Sequence, residues 1–84
     1  GPLGSRHPAI TPFQSFRSRD GHLVIAISND KQWGLFKQIV QCAELDDPRF
    51  HDNASRTQHY SVLEPILSGL FLRHTTEEWI DKLK

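Results

Sequence analysis

The sequence predicts an α+β domain, in which a β-hairpin (about 12–17 and 22–28) is packed by about three helices (about 30–41, 54–72 and 76–84). An apolar run at 23–27, rich in β-branched residues, predicts a strand, and the Asp-Gly dipeptide before it predicts a hairpin turn. Apolar residues at helical spacing beyond residue 30 predict the helices. Because a lone hairpin is not stable in water, the helices must cover it.

The turn gives the sharpest local prediction. Residues 13–17 form a short candidate strand, and Asp20-Gly21 tolerates the positive φ angles of a type I′ turn. The run 23–27 contains no polar residue, so we expect that strand to be buried on both faces. Asp20 has no predicted role beyond the turn.

The first helix is predicted to begin at an N-cap within residues 28–30, Ser-Asn-Asp. Gly34 should cost that helix ~1 kcal/mol relative to alanine, unless close packing requires a glycine. The helix is followed by Asp46-Asp47-Pro48, which predicts a turn or single helical turn that presents Arg49 and Phe50. The apolar stripe of the first helix is Trp33, Phe36 and Val40, with Leu35 and Ile39 beside them.

The remaining helices are predicted from their caps. Asn53 is the N-cap candidate of the second, and Ser61 with Glu64 forms a second possible capping box. One kinked helix and two shorter ones both fit, although Pro65 favours a break near Tyr60. A Thr-x-x-Glu capping box at 75–78 begins the last helix. The predicted inward residues are Leu63, Ile66, Leu67, Leu70 and Phe71, followed by Trp79, Ile80 and Leu83.

Composition narrows the classes of partner. Ten basic residues balance ten acidic ones, and the absence of a basic stripe argues against nucleic acid or an anionic membrane as the partner. The single cysteine, Cys42, suggests a reducing compartment, which means the cytoplasm or the mitochondrial matrix. Residues 1–5 match the remnant of a cleaved affinity tag, so the domain is predicted to occupy residues 6–84 of a larger protein.

The residues alone reveal no catalytic constellation. The five histidines do not stand at the spacing that places metal ligands on one helix face, and we expect no metal site. Cys42 is predicted to be a packed, inert thiol, because no helix N-terminus or cationic cluster is predicted beside it.

Five short motifs follow one another along nearly the whole chain. They are HPAITPFQSF at 7–16, RDG at 19–21, LVIAISNDKQW at 23–33, DPRF at 47–50 with Asn53 and Arg56, and TTEEW at 75–79. Local physics explains each motif separately but does not explain their order. Taken in order, the motifs resemble the small domain of the class III (family III) CoA-transferases, a family that includes formyl-CoA transferase, carnitine CoA-transferase and α-methylacyl-CoA racemase.

The resemblance implies that the parent moves CoA between carboxylic acids through intermediates on an aspartate, or shuttles an α-proton in the racemase branch. That aspartate and most CoA contacts would lie in a large Rossmann-like domain outside these residues. The partners implied are that large domain, a second subunit in an interlocked homodimer, and acyl-CoA as substrate, without a cofactor in this piece. The piece alone would then be inactive, and a protein-interaction or dimerisation module of the same fold is the alternative.

The resemblance also implies which residues lie nearest the active site of the parent. These are His7, Pro8 and Gln14, and none of them is expected to be catalytic. The competing interpretation is that the three residues only shape the start of the first strand.

Overall fold

A computed structural model describes residues 10–84 and confirms the α+β class. The hairpin consists of β1 (Phe13–Arg17) and β2 (His22–Ala26). Four α-helices follow, α1 (Asp30–Val40), α2 (Asn53–Gln58), α3 (Tyr60–Phe71) and α4 (Thr76–Leu83), with two 3-10 helices at Ala43–Asp46 and Pro48–Phe50 between α1 and α2. No helix in the described part of the chain is long and apolar enough to cross a membrane.

The hairpin has the predicted position but a different turn. Arg17 pairs with His22, so residues 18–21 form a four-residue connection, and Gly21 does not adopt a positive φ. The type I′ prediction was therefore wrong. A glycine suits this position for a different reason, because a Cβ at Gly21 would lie 3.3 Å from the Thr76 hydroxyl of α4. Its missing side chain lets α4 approach the loop.

Strand β2 is buried on one face only, which corrects the expectation of two buried faces. Ile25 points into the core, whereas Val24 is 67% exposed. The sheet in the described part of the chain has two strands, and the helices cover only one of its faces. An apolar run thus does not prove burial on both sides when a neighbouring layer is missing.

Helix α1 begins as predicted, because the Asn29 side chain accepts a hydrogen bond from the Gln32 backbone N–H at 2.8 Å. The helix ends where Gln41 enters the left-handed region with φ 52°, and its N–H still bonds the Lys37 carbonyl. Gly34 has open space where a Cβ would stand, so close packing is not its reason.

The predicted segment 54–72 forms two helices, α2 and α3, and neither of them begins at its predicted N-cap. His59 separates α2 from α3, which confirms the break near Tyr60. The cap of α2 is Asp52, whose side chain accepts the Ser55 N–H at 2.7 Å, and not Asn53, the first helical residue. The predicted Ser61 cap is also wrong, because α3 already begins one residue earlier without a side-chain cap.

The core is rich in aromatic side chains and joins α1, α3 and α4 to the hairpin. Phe71 of α3 has its ring centroid 5.0 Å from that of Phe16 in β1 and 4.9 Å from that of Trp79 in α4. Phe50 is completely buried, although the turn was expected to present it. The predicted inward position of Ile80 is wrong too, since this side chain is 53% exposed. Trp79 is buried on the inward side of α4, as predicted, and its indole N–H donates to the Phe71 carbonyl at 2.9 Å.

Candidate functional site

Gln14 is the predicted site residue that the structure describes, while His7 and Pro8 lie outside the described residues. Its half-buried amide on β1 is held from two sides by α3. The Tyr60 hydroxyl donates to its Oε1 at 2.6 Å, and its Nε2 faces the Glu64 carboxylate at 3.4 Å. The two contacts fix which end of the amide is the donor and which the acceptor.

Just before β1, the chain at residues 10–12 is anchored by helix α2. The Thr11 backbone N–H donates to the Asn53 side chain at 2.8 Å, and the Thr11 and Thr57 hydroxyls lie 2.5 Å apart. The next residue, Pro12, accepts a hydrogen bond from the Ile27 N–H at 3.0 Å. Asn53 is thus not a helix cap. Its side chain holds the backbone of Thr11, in the segment that leads into β1.

A completely buried arginine completes this anchor. The Arg56 side chain is 0% exposed, and its Nε donates to the Thr11 carbonyl at 2.9 Å. One terminal nitrogen donates to the Phe50 carbonyl at 3.1 Å, and the other bonds the Asp30 carboxylate at 3.0 Å. Each of the three guanidinium nitrogens thus donates to one acceptor, which the planar arrangement of its N–H groups allows.

The face of the guanidinium is also occupied. The Cζ atom of Arg56 lies 4.8 Å from the ring centroid of Trp33, a cation–π arrangement that a buried position strengthens. The Trp33 indole N–H has no hydrogen-bond partner within the described part of the chain. We call the set Thr11, Asp30, Trp33, Phe50 and Arg56 the arginine clasp.

The sequence analysis missed the arginine clasp, although one signal for it was present. Arg56 lies seven residues before Leu63 and eleven before Leu67, so it falls in the helical phase of the buried face of α3. A charged side chain on the buried face of a helix requires polar partners. The sequence did not reveal these partners, because they lie up to 45 residues away along the chain.

A second polar cluster joins the hairpin loop to the start of α4. The Asp20 carboxylate accepts the Thr76 backbone N–H at 2.9 Å, and this hydrogen bond is the main reason that the pKa of Asp20 lies below its ordinary value. The Ser18 hydroxyl lies 2.6 Å from the Thr76 hydroxyl and accepts the Gly21 N–H. Asp20 therefore acts between elements as well as within its turn.

The other titratable candidates have ordinary structural partners. His59 contacts the Ser55 carbonyl through Nδ1, His51 lies beside Asp52, and His74 lies beside Glu78. Among residues 10–84, no three histidine, cysteine or acidic side chains form a group that could hold a metal. Cys42 is buried as expected, but it directly precedes the first 3-10 helix, which the sequence did not predict.

The Asp47–Arg49 pair at the second 3-10 helix carries the largest electrostatic shift. Two guanidinium nitrogens bond the two Asp47 oxygens at 3.1 and 2.9 Å, and the Arg49 N–H adds a third bond. These contacts lower the pKa of Asp47 to about 2. The pair is exposed and rigidifies the turn that delivers Phe50 to the clasp.

Comparison with known sequences decides the family. A sequence model of CoA-transferase family III matches residues 1–84. The chain belongs to CoA-transferase family III. It is 36% identical over 78 residues to a succinyl-CoA:glutarate CoA-transferase of Mus musculus, which covers 92% of this chain and 18% of the relative. An acyl-CoA transferase of Fusarium pseudograminearum is 37% identical over 78 residues, with 92% of this chain and 17% of the relative covered.

Solved structures agree with the family and the fold. A CaiB/BaiF family protein from Brucella suis superposes with a TM-score of 0.82 at 28% identity, covering 92% of this chain and 21% of that protein. The chain therefore spans about one fifth of the length of the family members it matches. The resemblance inferred from the five motifs is confirmed by these comparisons.

Proposed function

We propose that this chain is the small domain of a CoA-transferase that moves CoA between carboxylic acids, and that it is inactive by itself. The supporting observation is the arginine clasp. It gathers residues from three of the five motifs that resemble the family around the segment that leads into β1. The reacting aspartate and most CoA contacts are then supplied by a large domain, in an interlocked homodimer.

In this proposal the small domain positions the segment before β1 against acyl-CoA. His7 and Pro8 are joined through Ala9 to residues 10–12, which Asn53 and Arg56 hold in place. Gln14 follows on β1, where Tyr60 and Glu64 hold its amide. The amide can offer a polar contact to a substrate only in the orientation that these two partners set.

The relatives favour the transferase branch over the racemase branch. Two of the relatives are a succinyl-CoA:glutarate CoA-transferase of Mus musculus and an acetyl-CoA:oxalate CoA-transferase of Acetobacter aceti. A dicarboxylate acceptor is accordingly the first substrate class to assay.

The test uses the full-length polypeptide. CoA transfer from succinyl-CoA to glutarate or oxalate is measured, together with exchange of the α-proton of a 2-methylacyl-CoA, which reports racemisation. We expect transfer without α-proton exchange. Exchange without transfer would assign the racemase branch, and neither activity with any acyl-CoA would favour the interaction module.

A variant tests the role of Gln14. Gln14→Ala should raise the KM for acyl-CoA or lower kcat, whereas Ser15→Ala, on the neighbouring exposed position, should leave both unchanged. If the two variants behave alike, Gln14 only shapes the strand.

The isolated 84-residue chain tests where CoA binds. Calorimetric titration with CoA should show no binding at micromolar concentration, and such binding would contradict the placement of the CoA site in the large domain.

A further inference from the structure

The hairpin loop lies against the connection between α3 and α4 and is bonded to it at several points. The Arg19 backbone N–H donates to the His74 carbonyl at 2.8 Å, and the Arg19 side chain donates to the Arg73 carbonyl. The Ser18 hydroxyl lies 2.6 Å from the Thr76 hydroxyl of α4. Ser18 is only 3% exposed, so its hydroxyl needs partners within the protein, and α4 supplies one of them.

The same loop also caps α4. Within the helix, the Thr75 side chain accepts the Glu78 N–H at 3.1 Å, while the Asp20 carboxylate accepts the Thr76 N–H at 2.9 Å. The first N–H groups of a helix have no intrahelical partner and form the positive end of its dipole, so a carboxylate stabilises the helix there. Asp20 is therefore a cap that comes from 56 residues away. We call the set Ser18, Arg19, Asp20 and Thr76 the latch.

Helix α4 has few other attachments. It contains eight residues, and isolated helices shorter than about 12–15 residues are marginal in water. Among the buried apolar side chains of the described core, Trp79 is the single contribution of α4, and Leu83 is only partly buried. The rings of Phe16, Phe36 and Phe71 pack against one another without α4. The remainder of the core therefore does not depend on this helix for most of its contacts.

We propose that α4 opens as a unit while the rest of the domain stays folded, and that the latch controls this opening. The helix swings on the connection at residues 72–75, and the Trp79 indole N–H separates from the Phe71 carbonyl. Segments with few buried contacts are the ones that open at low free energy. An interaction that displaces the hairpin loop shifts α4 toward the open state, because the loop holds only the closed one.

Native-state amide hydrogen exchange, followed by NMR on the 84-residue chain, tests whether α4 opens separately. Relative to the rates of an unfolded chain, the amides at 79–83 should exchange at least tenfold faster than those of Leu67 and Leu70 in α3. Equal protection in the two helices would mean that α4 opens only when the whole domain unfolds, and would overturn the proposal.

Two cap variants test the latch itself. Asp20→Ala should accelerate exchange in α4 about fivefold, the usual effect of losing a helix cap, and Asp20→Asn should restore most of the protection by keeping an acceptor oxygen. Asp52→Ala removes the cap of α2 and is the matched control. Because α2 stays folded when α4 opens, Asp52→Ala should accelerate exchange in α3 and leave α4 unchanged. Acceleration of α4 by Asp52→Ala, or none by Asp20→Ala, would contradict the latch.

A reversible lock tests the same motion with the covalent chain as its own control. The hydroxyl oxygens of Ser18 and Thr76 are close enough for cysteines at both positions to form a disulfide. In the double variant Ser18→Cys/Thr76→Cys, oxidation should slow exchange at 79–83 at least tenfold relative to the reduced form. Unchanged exchange on oxidation would show that α4 does not separate from the loop, contrary to the proposal. None of these measurements involves CoA, so failure of the transfer assay and failure of the latch are separate results.

Discussion

Replacing Arg56 tests whether the arginine clasp holds the domain together. Arg56→Met keeps most of the side-chain volume but removes all three donors. The Thr11 and Phe50 carbonyls then lose their partners in a buried environment, and each unsatisfied group costs about 1–3 kcal/mol. The exposed Asp30 carboxylate can return to water, whereas the contact with the Trp33 ring loses about 1–2 kcal/mol.

The expected loss is therefore about 3–8 kcal/mol in the free energy of unfolding. An 84-residue domain has a total of roughly 4–13 kcal/mol, so the variant should be largely destabilised. Arg56→Lys should lose nearly as much, because an ammonium cannot present a planar fork to three acceptors. Urea unfolding followed by tryptophan fluorescence measures both variants, with Arg17→Lys on exposed β1 as the control.

The methionine variant carries the decisive result. If Arg56 acted only by filling space, methionine would cost less than about 1 kcal/mol, because volume-conserving changes are tolerated. A loss that small, with an unchanged urea dependence, would refute the clasp. A loss of the expected size in both variants, with Arg17→Lys unaffected, would support it.

Three further predictions follow from individual contacts. Gly34→Ala should stabilise the chain by about 1 kcal/mol, whereas Gly21→Ala should destabilise it by pushing α4 from the loop. A lower urea midpoint for Gly34→Ala, or a higher one for Gly21→Ala, would contradict the corresponding prediction. Carboxyl NMR should give Asp47 a pKa of about 2, below its ordinary pKa of 3.8. The stabilising effect of Asp47 is then complete above pH 3.8 and is lost as the pH falls through 2. In Arg49→Gln the pKa of Asp47 should rise, and an unchanged pKa would show that Arg49 does not cause the shift. Cys42 should react with a thiol reagent only as fast as the chain unfolds, and rapid labelling of the folded chain would mean that the thiol is accessible.

The sequence predicted those elements whose causes are local. Asn29 caps α1 and Thr75 caps α4, because in each case the partner is three residues along the chain. The position of β2 followed from its apolar, β-branched run, and the inward face of α3 followed from helical periodicity. The interactions that determine these features lie within a few residues of each other along the chain.

The predictions that were wrong concern residues whose partners are distant. Asn53 looked like a cap, but its side chain bonds Thr11, 42 residues away. Gly21 looked like a turn glycine, but α4 requires its small size. For the site, the position of Gln14 on β1 was predictable, whereas its partners on α3 were not, because they depend on how α3 packs against the strand.

The order of the five motifs also has a physical cause in the structure. Thr11, Asp30 and Phe50 come from three separate motifs, and each supplies one partner of the buried Arg56 guanidinium group. The remaining two motifs, the hairpin loop and the start of α4, are joined to each other through Asp20 and Thr76. A buried charge is stable only when all its partners are present, so a motif cannot be lost or displaced without leaving others unsatisfied. The spacing between the motifs is then set by the lengths of β2, α1 and the two 3-10 helices, which must deliver each partner to the same point.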